Sequence, residues 1–194
     1  MMILGLDVST SITGYCIMDT GDTVGHRLIK SDSIIITKVK DPYIKSLMVR
    51  DEFKKLSKKF EIDKIVIEEN LQAFRRGLSS ARTLSTLARF NGIVTFLAQD
   101  VFGAPVEMIN VNSARSLAGL KVDRKSEQTI KEQVLEWVRS TPEFQNFDWP
   151  TKTLKSGVRK GLTIDAPECF DIADAAVVCL AGLKLEQQNN ASYT

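Results

Sequence analysis

The sequence has few cysteines and almost no histidine. Its three cysteines, Cys16, Cys169 and Cys179, are odd in number and unevenly spaced, which argues against a disulfide framework and favours a reducing compartment. The single histidine, His26, argues against a zinc site and a histidine-based triad. No apolar run approaches the ~20 residues that span a bilayer, and no basic segment precedes Asp7. We therefore expect a cytoplasmic protein that is neither secreted nor anchored.

Phosphate-binding glycine motifs are also missing. The chain contains neither a GxGxxG segment nor a GKS segment, and its first strand-like run leads into further strands rather than a helix. Both features argue against a doubly wound nucleotide-binding fold. The 194 residues, of which 43% are hydrophobic and 26% charged, are typical of one globular domain. We predict a single domain over residues 1–186 and a frayed tail over 187–194.

Basic residues are concentrated in a few stretches, although the net charge is only +2. No acid occurs from 70 to 99 or from 149 to 164, and the stretch 115–131 contains only Asp123 and Glu127. One such stretch is typical of a solvated face, but three in one domain favour a polyanion partner. The basic residues concerned are Arg75, Arg76, Arg82, Arg89, Arg115, Lys121, Arg124, Lys125, Lys131, Lys152, Lys155, Arg159 and Lys160.

Hydrophobic periodicity predicts an α/β fold. Strands are expected at 2–8, 14–19, 26–36, 63–69 and 105–111, and helices at 42–60, 80–102, from 113, at 126–139 and to 185. Asp41 is the expected cap of the first helix, and Asp165 with Glu168 resembles a capping box for the last. The segment 141–163 is predicted as a long functional loop. This order favours a ribonuclease H-like mixed five-stranded sheet, three antiparallel then parallel strands, flanked by helices.

Four acidic residues occupy positions where they can converge. Asp7 and Glu68 each end an apolar strand, whereas Asp171 and Asp174 lie three apart on one face of the last helix beside small residues. Carboxylates without cysteine or histidine form the type of site that suits magnesium or manganese. A shift of one residue in the strand register would replace Glu68 by Glu69. Alternatively, Asp7 caps the following turn, and the two helical acids are ordinary surface residues.

Three acidic segments resemble a known family in order and spacing. ILGLDVSTSITGY, IVIEEN and DIADAAVV are similar to the three acidic motifs of RuvC-like Holliday junction resolvases. The resemblance implies a ribonuclease H-like fold, a homodimer and magnesium-dependent cleavage of four-way or branched DNA, with two ions per site and Mn²⁺ as a substitute. It assigns catalysis and metal binding to Asp7, Glu68, Asp171 and Asp174. The long basic segment 141–163 suggests a phage, other viral or organellar branch.

The same resemblance extends to DNA-contacting residues. It places basic residues near the scissile phosphate at Arg115 and at Lys125, the latter catalytic, with Lys121 as a competing candidate. The family's aromatic residue that helps to open junctions has no direct counterpart, because Leu71 occupies that position and Phe74 follows three residues later. Together with the basic stretches, the predicted DNA-binding residues are Phe74, Arg75, Arg76, Arg115, Lys121, Lys125, Lys155 and Arg159.

Other functions are compatible with parts of this pattern. A ribonuclease H-type nuclease acting on RNA/DNA hybrids would use the same four acids, and a non-catalytic junction-binding protein would use them only to maintain its fold. The opening GLDVSTSITGY also resembles the first phosphate motif of sugar kinases and actin-like ATPases, but 194 residues leave no room for the second domain these proteins need. For a dimer, the apolar side of the helix at 80–102 is the candidate interface.

Overall fold

A five-stranded sheet with helices on both faces forms the centre of the protein. The computed structural model describes residues 1–21, 26–69 and 81–191. In chain order its elements are β1 Met2–Val8, β2 Ile12–Asp19, β3 Arg27–Ile35, α1 Pro42–Ser57, β4 Lys64–Glu68, α2 Ala81–Phe102, β5 Val106–Ile109, α3 Val111–Ala118, α4 Ile130–Ser140, a 3-10 helix Pro142–Phe144, β6 Thr151–Thr153, β7 Thr163–Asp165 and α5 Glu168–Ala191. None of the helices in these ranges is long and apolar enough to cross a membrane.

The strand order is β3-β2-β1-β4-β5. β1 pairs with β2, and β2 with β3, in antiparallel ladders. β4 runs parallel to β1 and to β5. This arrangement confirms the predicted sheet of three antiparallel strands followed by parallel ones. β1 and β4 are central and covered on both faces, so side chains on both faces are buried. This explains why their sequences are almost continuously apolar.

Alternation along β1 divides the core into two layers. Leu4 and Leu6 pack with residues of α1 and α2 on one face. On the other face, Ile3 packs with the apolar residues of α3, α4 and α5. Gly5 and Asp7 share the face of Ile3 because side chains alternate along a strand. Asp7 therefore ends β1 on the side that α5 covers.

Helix α5 lies unusually close to the sheet. A Cβ atom built at Gly5 would lie 2.6 Å from the carbonyl oxygen of Ala175, and one at Gly14 would overlap the carbonyl group of Asp171. Ala175 is fully buried in this contact. The two glycines thus admit the backbone of α5 where any side chain would hold it away.

Several predicted boundaries differ from the structure. Helix α4 begins at Ile130, because Thr129 and Glu132 form a capping box, and not near 126. The segment 141–163, predicted as a loop, contains the 3-10 helix and most of a hairpin formed by β6 and β7. Asp165 does not cap α5 but lies in β7 and accepts two hydrogen bonds from Arg139. Asp41 caps α1 as predicted, and α5 continues to Ala191, beyond the predicted end at 185.

The close approach of α5 predicts a sharp sensitivity at Gly14. We expect Gly14→Ala to lower the free energy of unfolding by at least ~2 kcal/mol, because the added methyl meets rigid helix backbone. Ser113→Ala is the control, since Ser113 is exposed on α3 and alanine favours the helix. Urea unfolding measures both. Equal stability of Gly14→Ala and the parent would show that the close approach is not required.

Candidate active site

Two acidic side chains emerge from neighbouring parallel strands. Leu6 of β1 pairs with Ile67 of β4, so the following residues, Asp7 and Glu68, lie side by side near the carboxyl ends of these strands. Ile67 belongs to the core layer beneath α1 and α2. Glu68 therefore projects to the opposite face, towards α5, as Asp7 does.

Helix α5 brings the other two acids to the same place. Asp171 is buried at the amino-terminal end of this helix, where the backbone crosses Gly14 of β2. Asp174 follows one helical turn later. The four carboxylates line one cavity of about 740 Å³ together with other residues of the strands and helices. Their convergence requires three separate elements, β1, β4 and α5, and so depends on the tertiary fold.

The structure distinguishes between the alternatives that the sequence leaves open. The turn after β1 is closed by Ser9, whose Oγ donates to the carbonyl of Ile12 and accepts from the amides of Ser11 and Ile12. This turn does not use Asp7 as its cap. Of the two adjacent glutamates, Glu68 is the one that lines the cavity.

Burial and mutual repulsion perturb all four acids. Burial, followed by the charge of Asp174, raises the pKa of Glu68 to about 7. Burial raises the pKa of Asp171 to about 6. The pKa of Asp7 is raised well above its usual range by burial and then by the charges of Asp174, Glu68 and Asp171, and burial also raises that of Asp174. The cavity thus concentrates more negative charge than its surroundings stabilise.

Two cations partly offset this charge. Arg115 of α3 lines the cavity, and its Nη2 lies 3.7 Å from Oδ1 of Asp174. Lys131 in the first turn of α4 lines it too, and its charge lowers the pKa of Asp7, Glu68, Asp171 and Asp174. A lysine at a helix amino terminus opposes the helix dipole. The position of Lys131 is therefore explained by the acids that it faces.

The structure places Lys131, which the sequence analysis does not assign to the site, at the cavity, and it places Lys125 outside the cavity. Lys125 is exposed, does not line the cavity, and uses its amide to bond Oδ1 of Asp123. The sequence TIKE could have indicated where α4 begins, because Thr129 and Glu132 form a capping box that starts the helix at Ile130. That start puts Lys131 in the first turn, directed at the cavity.

The other predicted DNA-binding residues are distributed around the site. Arg115 also lines a smaller cleft of about 260 Å³ that contains Lys121 and Arg124. Lys155 and Arg159 are exposed between the strands of the β6–β7 hairpin. Phe74, Arg75 and Arg76 lie outside the described residues.

The donor set fits a hard divalent cation. The cavity offers carboxylate oxygens and no cysteine or histidine among its lining residues, which is the chemistry that Mg²⁺ and Mn²⁺ prefer. Within residues 1–21, 26–69 and 81–191, no three acidic, histidine or cysteine side chains stand arranged as a ready-made metal cage. Binding of an ion would have to draw these carboxylates closer together.

The raised pKa values predict a pH-dependent stability. Because folding raises the pKa of Glu68 to about 7, the folded state holds that proton more tightly than the unfolded chain. Its contribution to stability is therefore greatest below about pH 4 and is lost as the pH rises through 7. In chelator at pH 8, we expect Glu68→Gln to raise the free energy of unfolding by at least ~1 kcal/mol, about 2–4 °C in Tm.

Thermal unfolding from pH 4 to pH 8 measures this effect. The gain of Glu68→Gln over the parent should shrink towards pH 4, where the parent carboxyl is protonated in both states. Glu61→Gln, which changes an exposed glutamate, is the control and should show little difference at any pH. A gain that grows as the pH falls would contradict the raised pKa of Glu68.

Comparison with known proteins supports the fold. The sequence matches no protein-family model and no curated protein. Several solved structures resemble the chain. One is T. thermophilus RuvC in complex with a Holliday junction substrate (15% identity, 97% of this chain and 96% of that chain, TM-score 0.67). Two others are the yeast mitochondrial Holliday junction resolvase Ydc2 (15% identity, 97% of this chain and 80% of that chain, TM-score 0.61) and Fowlpox virus resolvase with substrate Holliday junction DNA (15% identity, 96% of this chain and 99% of that chain, TM-score 0.51).

These similarities extend over nearly the whole chain at low sequence identity. They agree with the mixed sheet and its strand order, with α5 packed across β1 and β2. The protein therefore has the ribonuclease H-like fold that RuvC and related Holliday junction resolvases share.

Proposed function

We propose that the protein is a structure-selective endodeoxyribonuclease that resolves four-way or branched DNA junctions by paired, metal-dependent hydrolysis of phosphodiesters. The observation that carries this proposal is the single cavity in which four carboxylates from β1, β4 and α5 face Arg115 and Lys131. Such a cavity suits the binding of cations and of an anionic substrate at one point. The fold shared with proteins solved on Holliday junction DNA supports the choice of substrate.

Magnesium is the proposed cofactor, two ions per site, with Mn²⁺ as a substitute. Asp7, Glu68, Asp171 and Asp174 would hold it through carboxylate oxygens. Bound there, Mg²⁺ would supply positive charge that polarises the phosphate and lowers the pKa of a bound water. Burial and repulsion raise the pKa values of these acids, and a bound cation would lower them again because it favours the charged form.

Arg115 and Lys131 have the complementary role of holding the phosphate. Both line the cavity with the carboxylates. Their fixed positive charges face the place where negative charge increases during hydrolysis, which is the arrangement that stabilises a transition state. The salt bridge of Arg115 to Asp174 also orients that carboxylate. We therefore assign the catalytic lysine to Lys131 in place of Lys125.

The DNA strand is proposed to leave the cavity along the neighbouring basic cleft. Arg115 lines both spaces, and Lys121 and Arg124 continue the positive surface. Phosphate contacts of this kind position a nucleic acid without reading its sequence. Lys125, Lys155 and Arg159 remain proposed DNA contacts. So do Arg75 and Arg76, and Phe74 remains a proposed aid to junction opening, although these three lie outside the described residues.

We further propose a homodimer, because a two-fold symmetric junction is cut symmetrically by two related sites. An apolar surface patch on α1 and α2 is the candidate interface. Phe96 of α2 is 66% exposed and Tyr43 of α1 is 72% exposed, and both border one groove with Ile93. Ile44 and Leu47 extend the apolar surface along α1. Exposed apolar patches of this kind mark interfaces.

Removal of one site carboxylate should separate cleavage from binding. We expect Asp7→Asn and Asp174→Asn each to reduce cleavage of a labelled four-way junction in Mg²⁺ by at least ~100-fold, because a metal ligand and its charge are weakened. In chelator, both variants should bind the junction as well as the parent or better, since a charge that repels phosphate is gone. Single-turnover cleavage and a gel-shift titration measure the two effects.

Controls in the same assay address the alternatives. Lys59→Ala removes an exposed cation outside the cavity and outside the proposed DNA contacts, and it should stay within a few-fold of the parent rate. Lys131→Ala should lose at least ~10-fold, and more than Lys125→Ala does. Linear duplex and an RNA/DNA hybrid are tested beside the junction. Preferred cutting of the hybrid would favour a ribonuclease H-type enzyme, and metal-independent binding without cleavage of any substrate would favour a junction-binding protein.

The proposed interface has its own test. We expect Phe96→Lys to convert a dimer into a monomer in sedimentation, because a charge cannot be buried unpaired at an apolar interface. Met108→Lys changes an exposed apolar residue on β5 that does not border this groove, and it should leave the dimer intact. A parent that sediments as a monomer, free and junction-bound, would remove the dimer from the proposal.

A further inference from the structure

The chain from 151 to 165 forms a projecting hairpin. Thr151, Lys152 and Thr153 pair with Asp165, Ile164 and Thr163. The ladder continues through Leu154, whose amide donates to Leu162 and whose carbonyl accepts from Gly161. With four residues on each side at ~3.3 Å per residue, the tip lies more than ~10 Å beyond the first pair.

The base of the hairpin is firmly anchored. Arg139 of α4 donates two hydrogen bonds, of 2.8 and 3.0 Å, to the carboxylate of Asp165 and lies 5.0 Å from the centre of the Trp149 ring. Trp149 packs edge-on against Phe147. The carbonyl of Pro150 accepts from the amide of Ala166. The hairpin is therefore held in a fixed position relative to α4 and α5.

The tip combines cations with an unburied apolar side chain. Gly157 and Gly161 have φ values of 82° and 89°, which L-residues rarely adopt, and they shape the turn. Val158 between them is fully exposed. Lys155, Arg159 and Lys160 surround it, and no acid occurs from 149 to 164. Because Val158 is fully exposed and packs against none of the described residues, the packing of the fold does not explain an apolar residue there.

The hairpin leads directly to the active site. β7 ends at Asp165, and Pro167 and Phe170, which follow, line the same cavity as the four carboxylates. Asp171 is the next residue. A nucleic acid held by the hairpin is thus held by a segment continuous with the wall of that cavity.

We propose that the β6–β7 hairpin is the element that distinguishes branched DNA from linear duplex: its cations bind phosphates beside the branch point, and Val158 inserts among the unstacked bases there. This inference rests on the proposed function. Apolar side chains flanked by cations insert between base steps in this manner, and bases at a branch cost less to separate than those of a continuous duplex. The charge of the tip excludes a basic partner and favours a polyanion.

The experiment compares Val158→Ala with the double variant Lys155→Ala/Arg159→Ala in the full-length protein. The probes are a four-way junction carrying 2-aminopurine at the branch point and a linear duplex of the same sequence. Fluorescence in chelator reports unstacking, salt titrations report phosphate contacts, and cleavage is followed in Mg²⁺. Ile35→Ala, which trims another exposed β-branched side chain, is the matched control.

We expect Val158→Ala to lose most of the 2-aminopurine signal at saturation and at least ~10-fold in junction cleavage, with the Kd within a few-fold of the parent. The double variant should weaken binding to both DNAs and reduce the salt slope by ~1.8. Ile35→Ala should match the parent. A Val158→Ala protein with parental fluorescence and cleavage, or with equal losses on junction and duplex, would overturn the inference.

The two proposals fail separately in these measurements. A parent that opens the junction through Val158 but cleaves no DNA in Mg²⁺ would refute the nuclease and leave the hairpin inference in place. Conversely, a parent that cleaves junctions with no dependence on Val158 would refute the hairpin inference alone. Circular dichroism checks the fold of each variant. We expect every variant to be folded, because the mutated side chains are exposed.

Discussion

The close packing of α5 against the sheet is the constraint on which the rest of the site depends. Gly5 and Gly14 leave the backbone of this helix in direct contact with β1 and β2. A side chain at either position would move α5 outward, and Asp171 and Asp174 would move with it. The distance between these acids and Asp7 is therefore fixed by two residues that carry no functional group. A substitution that changes the packing of α5 against β1 and β2 would therefore also change the positions of the carboxylates.

This arrangement has a cost in stability that the surroundings only partly offset. Burial, followed by repulsion between the acids, raises their pKa values, and the pKa of Glu68 reaches about 7. Arg115 and Lys131 supply compensating charge, but Lys131 lies in the first turn of α4, where a cation opposes the helix dipole. The apolar layer under α5 is what keeps the acids together. Such strain is typical of functional sites.

The sequence predicted those parts of the fold that follow from local periodicity. Alternation along β1 and β4 placed Asp7 and Glu68 on one face, and the order of strands predicted the mixed sheet, because both depend on residues close in the chain. Lys131 is not assigned from the sequence because its position at a helix end depends on where α4 begins, and a start near 126 would place it in the second turn instead of the first. The hairpin was missed because its strands of three residues each give no periodic signal. The glycines of the close contact are visible in the sequence, but their partners are more than 150 residues away.

Helix α4 connects the two ends of the proposed substrate path. Its first turn presents Lys131 to the carboxylates, and its last turn presents Arg139 to the base of the hairpin. Asp165, which binds Arg139, lies six residues before Asp171, so α4 is tied to α5 through the hairpin as well as through the core. The hairpin lies in the chain between α4, which carries Lys131, and α5, which carries Asp171 and Asp174. A displacement of the hairpin would therefore strain its connections to both helices. The same rigid connection would hold a branch point at a fixed distance from the phosphate to be cut, which is what a nuclease that recognises shape rather than sequence requires.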